Sequence, residues 1–157
     1  ATMFGGVKRL KQCLQKAGLE RIVVACGNEE RKGLFEGEVV ADPLGVEGLH
    51  RVILWLREAF DEDLLLVPCD AFLLTPDAVK ALLIESPNGG VPLDEEQRRQ
   101  PLFAHLPRGV KINEHGENVR GMLQGLPSID VHPHNAAFTN FNQPADLRHP
   151  QLNHRRP

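Results

Sequence analysis

The stretch DLLLVPCDAFLLTP, residues 63–76, decides how the chain is read. Leu64, Leu65, Leu66 and Val67 form a short apolar run with no polar alternation, the pattern of a strand covered on both faces of a parallel sheet. The run stops at Pro68-Cys69-Asp70, so a carboxylate stands where the strand ends. Thr75 followed by Pro76 is an N-cap and first-turn proline, and it predicts a helix that turns Val79, Leu82 and Leu83 inward.

The flanking sequence fits the same pattern. Val7, Leu10, Leu14 and Ala17 recur at helical spacing, and Gly18 follows as a C-terminal cap. RIVVACG (21–27) and GEVVADP (37–43) read as short buried strands, and EGLHRVILWLREAF (47–60) as a helix with Leu49, Val52, Ile53, Leu56 and Phe60 on one stripe. Strand and helix alternate, which predicts a three-layer α/β/α, Rossmann-like fold with a mostly parallel sheet. In the second half, 100–106 and 128–135 read as two more strands. A helix over 118–126 would carry Val119, Met122, Leu123 and Leu126, and SPNGG (86–90) is a turn-rich break. No internal repeat is visible, so the expectation is one domain over 1–148 and a flexible C-terminal tail over 149–157.

With 157 residues, 41% of them hydrophobic and 25% charged, the chain is long and apolar enough to bury a core. A formal net charge of −3 implies no strongly basic face, which argues against nucleic acid as a partner. No apolar run approaches the ~18 residues that cross a bilayer, and no signal-peptide pattern opens the chain, so neither a membrane nor secretion is expected. Cys13, Cys26 and Cys69 form no CxxC pair and read as buried free thiols in a reducing cytoplasm.

In an open parallel sheet, ligands bind beyond the carboxyl ends of the strands. Three of the expected strands end there in Ala25-Cys26-Gly27, Asp42 and Asp70. Taken singly, each aspartate reads as a turn residue. Two at neighbouring strand ends suit a divalent cation and the phosphates it carries, with Mg²⁺ the natural choice for hard carboxylate oxygens.

VPCDAFLLTPDAV (67–79), QPLFA (100–104) and FTNFNQPADL (138–147), in that order, resemble the molybdenum cofactor guanylyltransferase family. The last motif is the most specific, matched by Phe138, Asn140, Asn142, Pro144, Asp146 and Leu147, and the resemblance spans roughly 5–148. It implies a nucleotidyltransferase fold and transfer of GMP from GTP to molybdopterin with release of pyrophosphate. By position, Asp70 corresponds to the catalytic Mg²⁺-binding aspartate at the nucleotide, Asp42 to an aspartate of the guanine nucleotide site, and Ala25 to a residue contacting the nucleotide. Asn140 and Asn142 correspond to the pair beside the pterin. Molybdoenzyme-maturation proteins are the further partners the resemblance implies. The family's opening glycine-rich phosphate loop has no counterpart in ATMFGGVKRLKQ, and Gly5-Gly6 matches instead the turn before its first helix. Weak turnover is therefore expected of a chain that starts at Ala1. GVEGLHRV (45–52) departs from the family's loop near the base, which leaves open a different nucleotide such as CTP or a different acceptor. A non-catalytic molybdopterin-binding or delivery module is the alternative from another class.

Three other features read more plainly. His132 and His134 would share one face of a strand, beside Asp130, and read as a polar strand edge before a transition-metal site. DEEQRR (94–99) reads as a solvated loop. Without the resemblance, Asn140 and Asn142 read equally as turn residues.

Overall fold

The computed structural model describes residues 3–141 of the chain. Helix α1 (Met3–Lys16) is followed by β1 (Val23–Ala25), a 3-10 turn (Glu29–Leu34) and β2 (Glu38–Val40). Helix α2 (Leu49–Phe60), β3 (Leu64–Leu65) and α3 (Pro76–Glu85) come next. The second half contains β4 (Val91–Pro92), a 3-10 turn (Pro101–Phe103), β5 (His105–Leu106), α4 (Val119–Met122), β6 (Ser128–Ile129) and a 3-10 turn (Asn135–Phe138).

Local chemistry explains the helix boundaries. Gly18 takes φ +95°, and the bonds Leu19 N–H to Leu14 O (3.1 Å) and Gly18 N–H to Gln15 O (3.0 Å) close α1 in a Schellman motif. Thr75 caps α3 as the sequence predicts, its Oγ1 accepting from the Ala78 N–H at 3.2 Å. Leu49, expected on the buried stripe of α2, opens that helix and is 51% exposed, while Val52 and Ile53 carry the burial.

The strands pair as β1 with β2 in parallel, β4 with β6 in parallel, and β3 with β5 antiparallel. An antiparallel bridge between Gly90 and His105 joins β5 to the start of β4, giving the order β3-β5-β4-β6. The antiparallel step has a simple cause. Residues 93–104 connect β4 to β5 without a crossover helix, through a turn closed by a Leu93–Arg99 bridge, and a parallel partner needs a crossover. Gly90 suits this junction, because a Cβ there would clash with Ile129 Cγ1 on the neighbouring strand.

Strand β3 is sandwiched as its sequence implies. Leu65 and Val67 pack on a core of Cys13 and Leu14 from α1, Ala78, Val79 and Leu82 from α3, and Phe103 and Phe138. Leu64 and Leu66 pack on the opposite core of Ile53 from α2, Val91, Ala104, Leu106, Met122 and Leu123. Helices therefore lie on both sides of the strands, the expected three-layer α/β arrangement. Phe103 and Phe138 meet edge to face, centroids 5.3 Å apart. At the start of the strands Arg21 grips Glu38 with two bonds (3.0 and 2.7 Å) and Glu62 with a third (3.0 Å), and its guanidinium lies 4.7 Å from the Phe60 ring centroid. It thereby ties the entry to β1 to the entries of β2 and β3.

The second half departs from the sequence reading in several places. Pro101 opens a 3-10 turn, so the strand expected over 100–106 shrinks to His105–Leu106. The strand expected over 128–135 ends at Ile129, and the chain then turns through a cis His132–Pro133 bond. His132 and His134 are consequently not on a strand face. Helix α4 is a single turn, although Met122, Leu123 and Leu126 are buried as expected. DEEQRR is not simply a solvated loop, since Asp94 is 3% exposed. Its Oδ1 accepts from the Glu96 and Arg98 N–H groups (both 2.9 Å), and its Oδ2 from Arg98 Nε (3.1 Å) and Gln100 Nε2 (2.8 Å). The carboxylate thus closes the turn between β4 and β5. Cys13 and Cys26 are buried thiols outside any disulfide, but Cys69 is an exposed one because it lies in the turn after β3.

Two substitutions test this core. Asp94→Ala leaves those donors without their acceptor and is expected to cost about 1–3 kcal/mol in chemical denaturation. Phe103→Ala empties the contact with Phe138 and is expected to cost about 3–5 kcal/mol.

Candidate active site at the strand ends

The carboxyl ends of β1, β2 and β3 each pass into a turn that carries a polar group. After β1, the Cys26 N–H donates to Val40 O (2.9 Å), and Gly27 O accepts from the Asp42 N–H (2.7 Å). Asp42 is therefore fixed beside the end of β1 and is half-buried. Ala25, the last residue of β1, is exposed, so this position offers a nucleotide only backbone and a methyl group.

Asn28 then caps the 3-10 turn Glu29–Leu34, its Oδ1 accepting from the Arg31 N–H at 3.1 Å. The Cys26 thiol donates to Asn28 O (3.2 Å), which ties that turn to the end of β1. After β3, the Ala71 N–H bonds to Pro68 O (3.2 Å) and the Phe72 N–H to Asp70 O (2.8 Å). These bonds fold residues 68–72 into a tight turn with Asp70 half-buried at its corner.

Although Cys69 is exposed as a residue, partial desolvation of its thiol is the main cause that pushes it up from its ordinary value. The adjacent Asp70 charge raises it further and the Arg31 charge opposes them. An arginine reaches this turn from α1, where Arg9 Nη2 donates to Phe72 O at 2.6 Å. Lys11, also on α1, donates to Glu36 O, so this helix reaches both the turn after β3 and the approach to β2.

Asn140 joins from the other end of the chain. Its neighbour Phe141 packs on Phe72 with centroids 5.4 Å apart, which brings the segment 138–141 to the Asp70 turn. Asn140 Oδ1 is buried and accepts no hydrogen bond. Asn142, predicted as its companion, lies outside the described residues. Gly5 and Gly6 are part of α1, not a turn before it. In the 45–52 segment, Gly48 at φ +86° precedes α2 with no side-chain cap, and nearby Leu44 is fully exposed.

The structure thus pairs Ala25 with Asp42 at the hydrogen-bonded ends of β1 and β2, and separately joins the Asp70 turn to the segment holding Asn140 through Phe72 and Phe141. Arg9 is an addition that sequence reasoning missed, because it reads there as the outer face of a helix. Among the described residues no group of three or more His, Cys, Asp or Glu side chains is gathered to hold a metal ion. An ion at Asp70 would accordingly take most of its shell from water and substrate oxygens, a donor set that fits Mg²⁺.

Cys69 reports on this geometry. Removing the Asp70 charge lowers the thiol pKa and removing the Arg31 charge raises it. Iodoacetamide near neutral pH is therefore expected to modify Cys69 faster in Asp70→Asn and slower in Arg31→Ala than in the parent protein. Buried Cys13 and Cys26 react last, and peptide mass mapping separates the three thiols.

A structure from Archaeoglobus fulgidus described as molybdopterin-guanine dinucleotide biosynthesis protein A superposes with a TM-score of 0.62. The superposition covers 88% of this chain and 80% of that one at 18% sequence identity, which is a likeness of fold. No curated protein matches the chain. The family model of the MobA-like NTP transferase domain matches residues 6–129, which run from α1 through the Asp42 and Asp70 turns to the end of β6. The chain belongs to the MobA-like NTP transferase domain family.

Proposed function

We propose that the protein is a molybdenum cofactor guanylyltransferase, which joins GMP from GTP to molybdopterin and releases pyrophosphate. The observation that carries this reading is the meeting of two separate segments. The Asp70 turn and the segment ending in Asn140 and Phe141 are 70 residues apart in sequence, and the Phe72–Phe141 contact at 5.4 Å holds them together. A nucleotidyl transfer needs such a meeting of a carboxylate for the nucleotide side and polar groups for the acceptor side.

In the reaction, an oxygen of the molybdopterin phosphate attacks the α-phosphorus of GTP. One P–O bond forms, the bond to the β-phosphate oxygen breaks, and its electron pair leaves with pyrophosphate. Little covalent chemistry is asked of the protein, so its contribution is placement and charge neutralisation. Asp70, on the turn after β3, is the residue that would hold Mg²⁺, with Asp42 at the nucleotide side. When bound, Mg²⁺ supplies charge neutralisation on phosphate oxygens. Backbone groups at Ala25 are the nucleotide contact available on β1. The buried Asn140 Oδ1 is an acceptor without a donor, suited to an N–H of a pterin ring, because an unmet buried acceptor costs about 1–3 kcal/mol until it is paired. The fully exposed Leu44, in the loop that differs from the family's base-contacting segment, makes the choice of GTP over CTP a matter for direct measurement.

Incubation with radiolabelled GTP, Mg²⁺ and molybdopterin tests the reading. Labelled dinucleotide product is expected, and Asp70→Asn is expected to slow its formation by about 10²–10³-fold, the usual effect of removing one charge-stabilising group. Asn140→Ala is expected to raise the KM for molybdopterin more than that for GTP. Tight molybdopterin binding with no Mg²⁺-dependent GTP binding would sink the enzyme reading and leave a cofactor-binding module.

A further inference from the structure

The chain reaches the candidate site from β6 through a strap, residues 130–141, and one buried polar side chain sits in the middle of it. Asn135 is 6% exposed. Its Nδ2 donates to Leu93 O (3.0 Å) and to Asp130 Oδ1 (3.0 Å), so both amide hydrogens are spent. Leu93 is the residue after β4, and Asp130 is the residue after β6. A bond from the Leu93 N–H to Ile129 O (3.0 Å) already joins these two strand exits. Asn135 thus fastens the strap to the carboxyl ends of two neighbouring strands at once.

Five residues further on stands Asn140, whose buried Oδ1 accepts no hydrogen bond. An unmet buried acceptor is costly, and the side chain would turn toward water unless its backbone were held in place. Aromatic contacts supply part of that hold. Phe138 meets Phe103 at 5.3 Å and Phe141 meets Phe72 at 5.4 Å. Apolar contact is non-directional, however, and leaves the strap able to shift along its own length. The two Asn135 bonds supply a directional anchor. Between that anchor and Asn140 the chain is one tight 3-10 turn (Asn135–Phe138). It is closed by the Ala137 N–H to His134 O (3.0 Å) and by Thr139 Oγ1 to Ala136 O (2.7 Å). So short and closed a connection has little slack, and a displacement at Asn135 is carried through to Asn140.

We propose that Asn135 is a positioning residue for the acceptor side of the site, setting where Asn140 Oδ1 stands by fastening the strap to the exits of β4 and β6. Asn135 touches no substrate in this role and acts only through Asn140. Asp130 is its partner, and the same Oδ1 accepts from the His132 N–H at 3.2 Å, so the turn leading into the anchor is held as well. The role rests on the guanylyltransferase reading for the pterin that Asn140 meets, whereas the anchor itself is measurable in the protein alone.

Hydrogen exchange read by mass spectrometry on the whole protein tests the anchor, and steady-state guanylyl transfer tests its consequence. The variants are Asn135→Ala, the milder Asp130→Ala in case the first does not fold, and the control Asn118→Ala. Asn118 caps α4 through its Oδ1 and the Gly121 N–H at 2.7 Å, so the control loses a comparable bond away from the strap. In Asn135→Ala, exchange over 136–141 is expected to quicken about tenfold while β3 and α3 stay as they are. Asp130→Ala removes one of the two acceptors and is expected to move the same segment less. The KM for molybdopterin is expected to rise about tenfold in Asn135→Ala, with kcat and the KM for GTP within about twofold, the split that a lost binding contact produces. Asn118→Ala is expected to leave both the strap and the molybdopterin KM unchanged. Unaltered exchange over 136–141 in both strap variants overturns the proposal even where guanylyl transfer is observed. Faster exchange throughout the chain, or a KM for GTP that rises as much as that for molybdopterin, also overturns it, since Asn135 would then be an ordinary core bond. Local quickening in a protein that transfers no guanylyl group supports the anchor and counts against the enzyme reading alone.

Discussion

Everything at the candidate site depends on one constraint, the burial of β3 between two separate cores. Leu65 and Val67 are claimed by the α1–α3 side, and Leu64 and Leu66 by the α2–α4 side. A strand held on both faces cannot slip by one residue, because a slip would exchange the two sets of side chains. That fixed register determines where the strand stops and therefore where Asp70 stands. The turn after it is set by its own backbone bonds, so the carboxylate is aimed by packing that lies well behind it.

The two ends of these strands are built differently. At the entry end, Arg21 draws together the starts of β1, β2 and β3 through Glu38 and Glu62, and its charge is fully spent. The buried polar groups described at the entry end are paired, whereas the buried Asn140 Oδ1 at the exit end is not. The Phe72–Phe141 contact then decides which distant segment shares that end.

The first half of the fold was legible because its signals are local. Gly18 stops α1 by its positive φ, Thr75 and Pro76 start α3 by capping, and the apolar run 64–67 needs only its own composition to read as a doubly covered strand. The second half was harder because its strands are two residues long and exist only through their pairing partners. QPLFAHL carries strand-forming residues, yet Pro101 begins a 3-10 turn and only His105–Leu106 pairs, where Leu64 and Leu65 present a partner. Asp94 was read as solvated because nothing in DEEQRR tells which of its charges will be drawn inside. Arg98 and Gln100 make that choice by closing the turn around it.

By itself the sequence determined the α/β class, the order of the first three strands, and the placement of Asp42 and Asp70 at strand ends, because periodicity and caps act within a few residues of chain. Its motifs also pointed to the family. Tertiary structure decided the rest. It turned β5 antiparallel, buried Asp94, exposed Cys69 and brought Asn140 to the Asp70 turn. It also brought Arg9 of α1 to that turn through Phe72 O. Those outcomes depend on contacts between residues far apart in the chain, and no local pattern encodes which distant groups will meet.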